Sequence, residues 1–160
     1  MRQKKSLKAM LAAVLCAGAL VATTGTADAV QETADGGTSV LVLNTFQSLG
    51  TLRCMDDSNS FGFRTYPCNG GIYQNWDVHV FNDGTRRFQN QATGRCLYDG
   101  PAGFSTQFCG SSESVSWYIV RHHEVRLTFR NQYTDDCIDD SDDSGFRTTG
   151  CNGGIYQDWV

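Results

Sequence analysis

Nine residues at 68–76, CNGGIYQNW, return at 151–159 as CNGGIYQDW, with eight of nine letters unchanged across 83 positions. Midway, Cys109 and Trp117 keep the eight-residue spacing of Cys and Trp although the letters between them have changed. Four sets of markers hold one period of 41 or 42 residues: Trp76, Trp117 and Trp159; Cys68, Cys109 and Cys151; Cys54, Cys96 and Cys137; and Phe46, Phe88 and Phe129, each phenylalanine eight residues ahead of the first cysteine of its set. The chain is therefore a threefold internal repeat, in which units too small to fold alone must share a core. The first and third copies agree at 16 of 23 positions between Cys54 and Trp76 and between Cys137 and Trp159, while the middle copy keeps the skeleton and little else.

The repeat does not reach the start of the chain. Arg2, Lys4, Lys5 and Lys8 precede an apolar run at 9–22, and Ala27-Asp28-Ala29 offers a small-residue cleavage site. This order of features reads as a secretory signal peptide over residues 1–29, too short an apolar run to span a bilayer. Lipidation at Cys16 is disfavoured because Leu15 stands where a small residue is wanted. Residues 30–38, VQETADGGT, are polar and aperiodic and read as a flexible leader before a domain at 39–160. Without the signal, nine arginines face sixteen acidic residues and no lysine remains, a net charge of −7. An acidic chain without a basic stripe is a poor partner for phosphate backbones or anionic lipid, so neither nucleic acid nor a membrane is expected.

Beyond Cys16, six cysteines remain, and export makes disulfides the expected state. Spacing alone leaves fifteen pairings open. The repeat selects Cys54–Cys68, Cys96–Cys109 and Cys137–Cys151, which makes three equivalent units. Each closes a loop worth roughly 3 kcal/mol in the chain-entropy model. Zinc is the rival use of these thiols, but no two of them have the close spacing of structural zinc ligands.

Every repeat reads as four short strands. SVLVLNTF opens the first. DVHVF and TRRFQN flank an NDG turn, and WYIVRHHEVRLTFRN reads the same way with His122 and His123 at its tip. One shorter strand starts at each first cysteine (RCMDD, RCLYD, DCIDD) and another runs into each second (FRTYPC, STQFC, FRTTGC). Twelve such strands and no amphipathic helical stretch call for an all-β architecture whose edges are removed by closure.

With three copies of about 41 residues, Gln74-Asn-Trp76 and Gln157-Asp-Trp159 near two of their ends, and Cys54-Met-Asp56 and Cys137-Ile-Asp139 near two of their starts, the chain resembles the ricin-B-type β-trefoil lectins over residues 39–160. Val115-Ser-Trp117 and Cys96-Leu-Tyr98 are the degenerate middle copies of these marks. The resemblance implies a β-trefoil with three lobes and a shallow sugar pocket in each. It places the three tryptophans in the core, and Gln74 and Gln157, counted with the pocket by position, as amides that hydrogen-bond loop backbone. Each pocket would use an Asp two residues after the first cysteine, an aromatic two residues before the second, and a polar residue just before the Gln of Gln-x-Trp. A carboxylate can accept two neighbouring sugar hydroxyls, and a ring can stack on the C–H face of a sugar.

Carried over residue by residue, the first lobe fits best. Asp56 takes the carboxylate position and Tyr66 the stacking position. Arg64 stands where the family often has Gln, and Tyr73 replaces the usual Asn before Gln74. The third lobe offers Asp139, Tyr156 and Gln157, but Thr149 stands where the ring is expected. The middle lobe, with Tyr98 for Asp and Gln107 for the ring, is expected to have lost its site. The ordinary alternative for Asp56 and Asp139 is a turn-capping carboxylate.

Remaining features are weaker. The aspartates at 135, 136, 139, 140, 142 and 143 lack EF-hand spacing and read as a solvated acidic turn rather than a calcium loop. His122 and His123 have no third ligand or nucleophile beside them, and no hydrolase or metalloprotease signature occurs, so neither cofactor nor catalysis is expected. Two functions are left: a secreted, non-catalytic protein that binds a glycan or polysaccharide, and a trefoil adaptor that binds another secreted protein. The second draws on the chain ending one residue after Trp159. The closing strand is then short, and the opening strand SVLVLNTF is expected to keep part of its ladder unpaired at a seam between the termini.

Overall fold

A computed structural model describes residues 43–122 and 125–160. The signal peptide, Cys16, the leader, the first residues of the opening strand and His123 lie outside the described residues. Eleven strands follow in order: β1 Leu43–Asn44, β2 Arg53–Ser58, β3 Gly62–Pro67, β4 Trp76–Val80, β5 Arg86–Asn90, β6 Cys96–Tyr98, β7 Ser105–Gln107, β8 Trp117–His122, β9 Arg126–Asn131, β10 Asp136–Ser141 and β11 Gly145–Gly150. In place of a twelfth, Trp159 forms bridges on both sides, to Ser48 and to Leu127.

These pairings close a ring with threefold regularity. Trp76 pairs with Asn44 and Asn90, Trp117 with Arg86 and Asn131, and Trp159 with Leu127 and Ser48. The three remaining hairpins, β2–β3, β6–β7 and β10–β11, hold the cysteines and the Asp motifs. The architecture is a β-trefoil, as the repeat and the family resemblance led us to expect.

The tryptophans are buried core residues, each fully closed from solvent. Each indole N–H donates to a backbone carbonyl of its own lobe at 3.3 Å: Trp76 to Met55, Trp117 to Leu97 and Trp159 to Ile138. A buried indole needs such a partner. Two phenylalanine triads stack along the axis. In the barrel, Phe46, Phe88 and Phe129 meet edge to face with centroids 5.0–5.4 Å apart. Below them Phe63, Phe104 and Phe146 meet at 4.8–5.0 Å. This second triad also steps by 41 and 42 residues, a marker the sequence carried and the motif reading passed over.

All three disulfides are local, Cys54–Cys68, Cys96–Cys109 and Cys137–Cys151, with Cα atoms 4.9–5.1 Å apart. The cysteines are thus consumed as bridges and leave no thiolate for zinc. The repeated phrase itself is a loop device. Gly70 and Gly153 both adopt φ +67°, a conformation that suits glycine. Asn69 and Asn152 accept through Oδ1 from the N–H of Gly71 and Gly154. The chain then makes one turn of 3-10 helix, Ile72–Gln74 or Ile155–Gln157, before entering the barrel at the tryptophan. A third such turn, Glu113–Val115, precedes Trp117. The strand-only reading missed these turns because three residues are too few to show a helical period.

Neighbouring lobes are clasped by buried aspartates. Asp57, fully closed from solvent, accepts from Arg95 Nε and Nη2 at 2.9 and 2.6 Å and from the hydroxyls of Thr93 and Thr106, all in the second lobe. Asp140 of the third lobe repeats the arrangement with Arg53, Thr51 and Thr65 of the first. The hydrogen bond it donates to Asp140 holds the Arg53 guanidinium above the usual arginine range. Asp99 of the second lobe occupies the matching place toward the third and accepts from Thr134 at 2.6 Å, but Asp136 stands where the other two seams have arginine.

The seam between the ends of the domain is short and closed. Gln47 and Val160 exchange both backbone hydrogen bonds at 2.9 Å, and Leu49 N–H donates to Asp158. Trp159 exchanges two more with Leu127 on its other side, at 2.8 and 2.9 Å. Residues 47–49 lie along the end of the chain; of the opening strand expected to be partly unpaired, Leu43 and Asn44 pair with Asp77 and Trp76, and its earlier residues lie outside the described residues.

Candidate functional site

The β2–β3 hairpin brings together three of the residues expected at a sugar site. Asp56 lies directly opposite Arg64 in the register, and Cys54 opposite Tyr66. With a period of two along each strand, Asp56, Arg64 and Tyr66 share one face, while Met55, Asp57 and Phe63 face the axis and the next lobe. Ser58 turns the hairpin: its Oγ accepts from the N–H groups of Ser60 and Phe61 at 3.1 Å, and Gly62 at φ +72° completes the reversal. That turn sets Phe61 beside Arg64.

The result is a layered group. Arg64 Nε donates to Asp56 Oδ1 at 3.1 Å. The guanidinium carbon sits 4.3 Å from the centroid of Tyr66 and 4.6 Å from that of Phe61. Cation–π contact with two rings and a charge-assisted bond fix the guanidinium in place. Phe61 is 71 % exposed and Tyr66 42 %, but the Asp56 side chain only 4 %. This corrects one expectation: Asp56 does not present an open carboxylate to solvent. The cation above it and the two rings form the outer surface. Among the described residues, the only hydrogen bond of the Arg64 side chain is the one from Nε to Asp56.

A second correction concerns Gln74 and Gln157, both fully buried. Gln74 Nε2 donates to Pro67 O at 3.1 Å and its Oε1 accepts from Asn69 N–H at 2.9 Å. Gln157 does the same with Gly150 and Asn152. Their amides hold the loop that follows the disulfide and are closed to a ligand, as their expected backbone role requires. Tyr73 lies on the 3-10 turn, 39 % exposed, and its carbonyl receives Asn90 Nδ2 at 2.7 Å. Tyr156, at the matching place, packs its ring over the backbone of Gly50, where a methyl group would come within 2.3 Å of Cδ1. That neighbour belongs to the first lobe.

In the third lobe the ion pair survives without its rings. Arg147 lies 3.5 Å from Asp139, whose side chain is 5 % exposed, and Ser144 and Thr149 replace Phe61 and Tyr66. The acidic run is largely paired: Asp140 and Asp142 with Arg53, Asp135 with Arg130, and Asp139 with Arg147. Among the described residues no three His, Cys, Asp or Glu side chains gather as metal ligands. In the middle lobe Phe108 projects almost wholly into solvent beside a hollow lined by Arg95, Thr106 and Gln107. Among the described residues no helix is long and apolar enough to cross a membrane.

By sequence, no family model and no characterised protein matches the chain. Solved structures do match its shape. A designed threefold-symmetric protein, ThreeFoil, superposes with a TM-score of 0.65 at 16 % identity, over 72 % of this chain and 94 % of its own. SeviL, solved bound to asialo-GM1 saccharide, gives 0.64 at 7 % identity, over 75 % and 95 %. The hemolytic lectin CEL-III gives 0.62 at 18 % identity, over 74 % of this chain and 29 % of the lectin, so in that protein the fold is one part of a longer chain. At such identities the likeness establishes the β-trefoil fold, a fold that lectins use.

Proposed function

We propose that the protein is an exported, non-catalytic carbohydrate-binding protein whose first lobe carries the glycan site. One observation carries the reading: Phe61 and Tyr66 bracket Arg64 above Asp56 on the open face of one hairpin, and no other lobe has this group. Exposed rings beside fixed hydrogen-bond donors are what a sugar needs, since its C–H face stacks and its hydroxyls accept. In this reading Asp56 positions Arg64 rather than meeting the sugar. The leader-like start of the chain and three formed disulfides support export. Nothing among the described residues favours the protein-adaptor reading: Leu43 and Asn44 of the opening strand pair with β4, and residues 47–49 are hydrogen-bonded to the end of the chain.

Retention of the full exported protein on a glycan array tests the proposal. Tyr66→Ala, at a partly exposed position, should remove most retention and leave far-ultraviolet circular dichroism and the cooperative melting transition in place. Asp56→Ala should also remove it by releasing Arg64, a charge-assisted bond being worth about 1.5–3 kcal/mol. Asp139→Ala should change retention little. Wild-type retention in the Tyr66→Ala and Asp56→Ala proteins together would rule out the first-lobe assignment.

A further inference from the structure

Two copies of one sequence with one ion pair allow an internal comparison. Between residues 54–76 and 137–159 seven positions differ; two of them remove the rings beside the paired arginine and two more charge the hairpin tip. Phe61 and Tyr66 become Ser144 and Thr149, and Asn59 and Ser60 at the hairpin tip become Asp142 and Asp143. Around Arg64 the tip is uncharged, the carboxylate partner is nearly closed from solvent, and two rings shield the cation's flanks. Around Arg147 both rings are gone, and at the charged tip Asp142 pairs with Arg53 instead.

We propose that the first-lobe site is specific for acidic glycans, those carrying a carboxylate or a sulfate ester, and that Arg64 is the group that recognises the charge. The inference rests on the glycan reading above and deepens it. A neutral sugar's hydroxyls can accept from the same donors, but with Asp56 covered the hairpin offers no open carboxylate, and an anionic group adds charge to the pairing. What the hairpin offers instead is a planar cation fixed by rings on two sides and by Asp56 through Nε. Planar guanidinium groups match the geometry of carboxylate and sulfate oxygens with paired N–H donors. Fixing that plane in advance lowers the ordering cost of binding. The chain as a whole is acidic, so this local cation, and not general attraction, would set the preference.

The test is an array on which uronate-bearing, sialylated and sulfated glycans each stand beside their neutral parent, probed with the full exported protein. Acidic members should bind about tenfold or more tightly than their parents, a difference that shrinks as salt rises. The relative response to carboxylates and sulfates identifies the source of the charge. Arg64→Gln should level acidic and neutral members, whereas Arg147→Gln should leave the preference intact. Equal binding of acidic and neutral members by the wild type overturns the acidic specificity while leaving the glycan reading standing. Retention of nothing on the array overturns both. A preference that persists in Arg64→Gln removes Arg64 from the role.

Discussion

The seam between the first and second lobes and the seam between the second and third are built on one plan but joined differently. At the first, Asp57 takes two hydrogen bonds from Arg95 and two from threonine hydroxyls. At the second, Asp99 takes one from Thr134, and Asp136 occupies the arginine's place. The third seam, Asp140 with Arg53, follows the first. Both Asp57 and Asp99 are almost fully buried, yet only one has a cation. The difference teaches that threefold regularity of the backbone does not demand threefold regularity of charge. The phenylalanine triads and tryptophans hold the axis in every lobe, and the polar clasp can be lost at one seam without losing the ring.

The largest expected effect comes from cutting an intact clasp. Asp57→Ala removes two hydrogen bonds from Arg95, whose side chain is a third exposed and can rehydrate, and two from threonine hydroxyls, and should cost about 2–3 kcal/mol in urea-induced unfolding. Asp99→Ala should cost less, about 1–2 kcal/mol, the scale of one lost hydrogen bond. Equal costs for the two would show that the seams do not differ in strength. Asp136→Arg should sharpen the comparison by giving Asp99 a cation and raise stability by up to about 1 kcal/mol, the scale of a partly exposed pair. Smallest of all is Leu52→Gly. The residue just before each clasp arginine position has positive φ: Gly94 at 68°, Leu52 at 61° and Asp135 at 65°. Leu52 is 63 % exposed and has little packing to lose. Replacing it with glycine should relieve backbone strain and, after the added freedom of the unfolded chain, shift the melting temperature upward by a degree or so, on the order of 0.5 kcal/mol.

What was legible in the sequence was whatever the repeat wrote in phase. Cysteine pairing, the tryptophan core and the four strands of the first two lobes followed from steps of 41 and 42 residues; the third lobe has three strands, with the bridges of Trp159 in place of a fourth. The clasps did not, although Asp57, Asp99 and Asp140 keep the same period. Each aspartate finds its partners in another lobe, 35 to 89 residues away in sequence, and no local spacing points there. The site was half legible. Asp56, Arg64 and Tyr66 were named correctly as neighbours, but the motif assigned the outer role to Asp56. Drawing the hairpin register, in which Asp56 faces Arg64, would have shown that the carboxylate meets its arginine first. Phe61 was missed because no family position called for a ring at the turn.

Barrel closure has a consequence for the order of events in folding. Ser48 and Trp159 are bridged across 111 residues, and the backbone of residue 160 completes the ring through Gln47. The disulfides, by contrast, each close within 13 or 14 residues. Under the export proposed above, a chain delivered from its N-terminal end would oxidise its lobes one after another as they emerge, while the first lobe waits for the far end to arrive. Early cross-links keep each waiting hairpin in register, and the slow, long-range step is left to the final assembly. A pulse-labelled chain trapped during translocation should accordingly carry its first bridge, Cys54–Cys68, before it gains the protease resistance of the closed barrel.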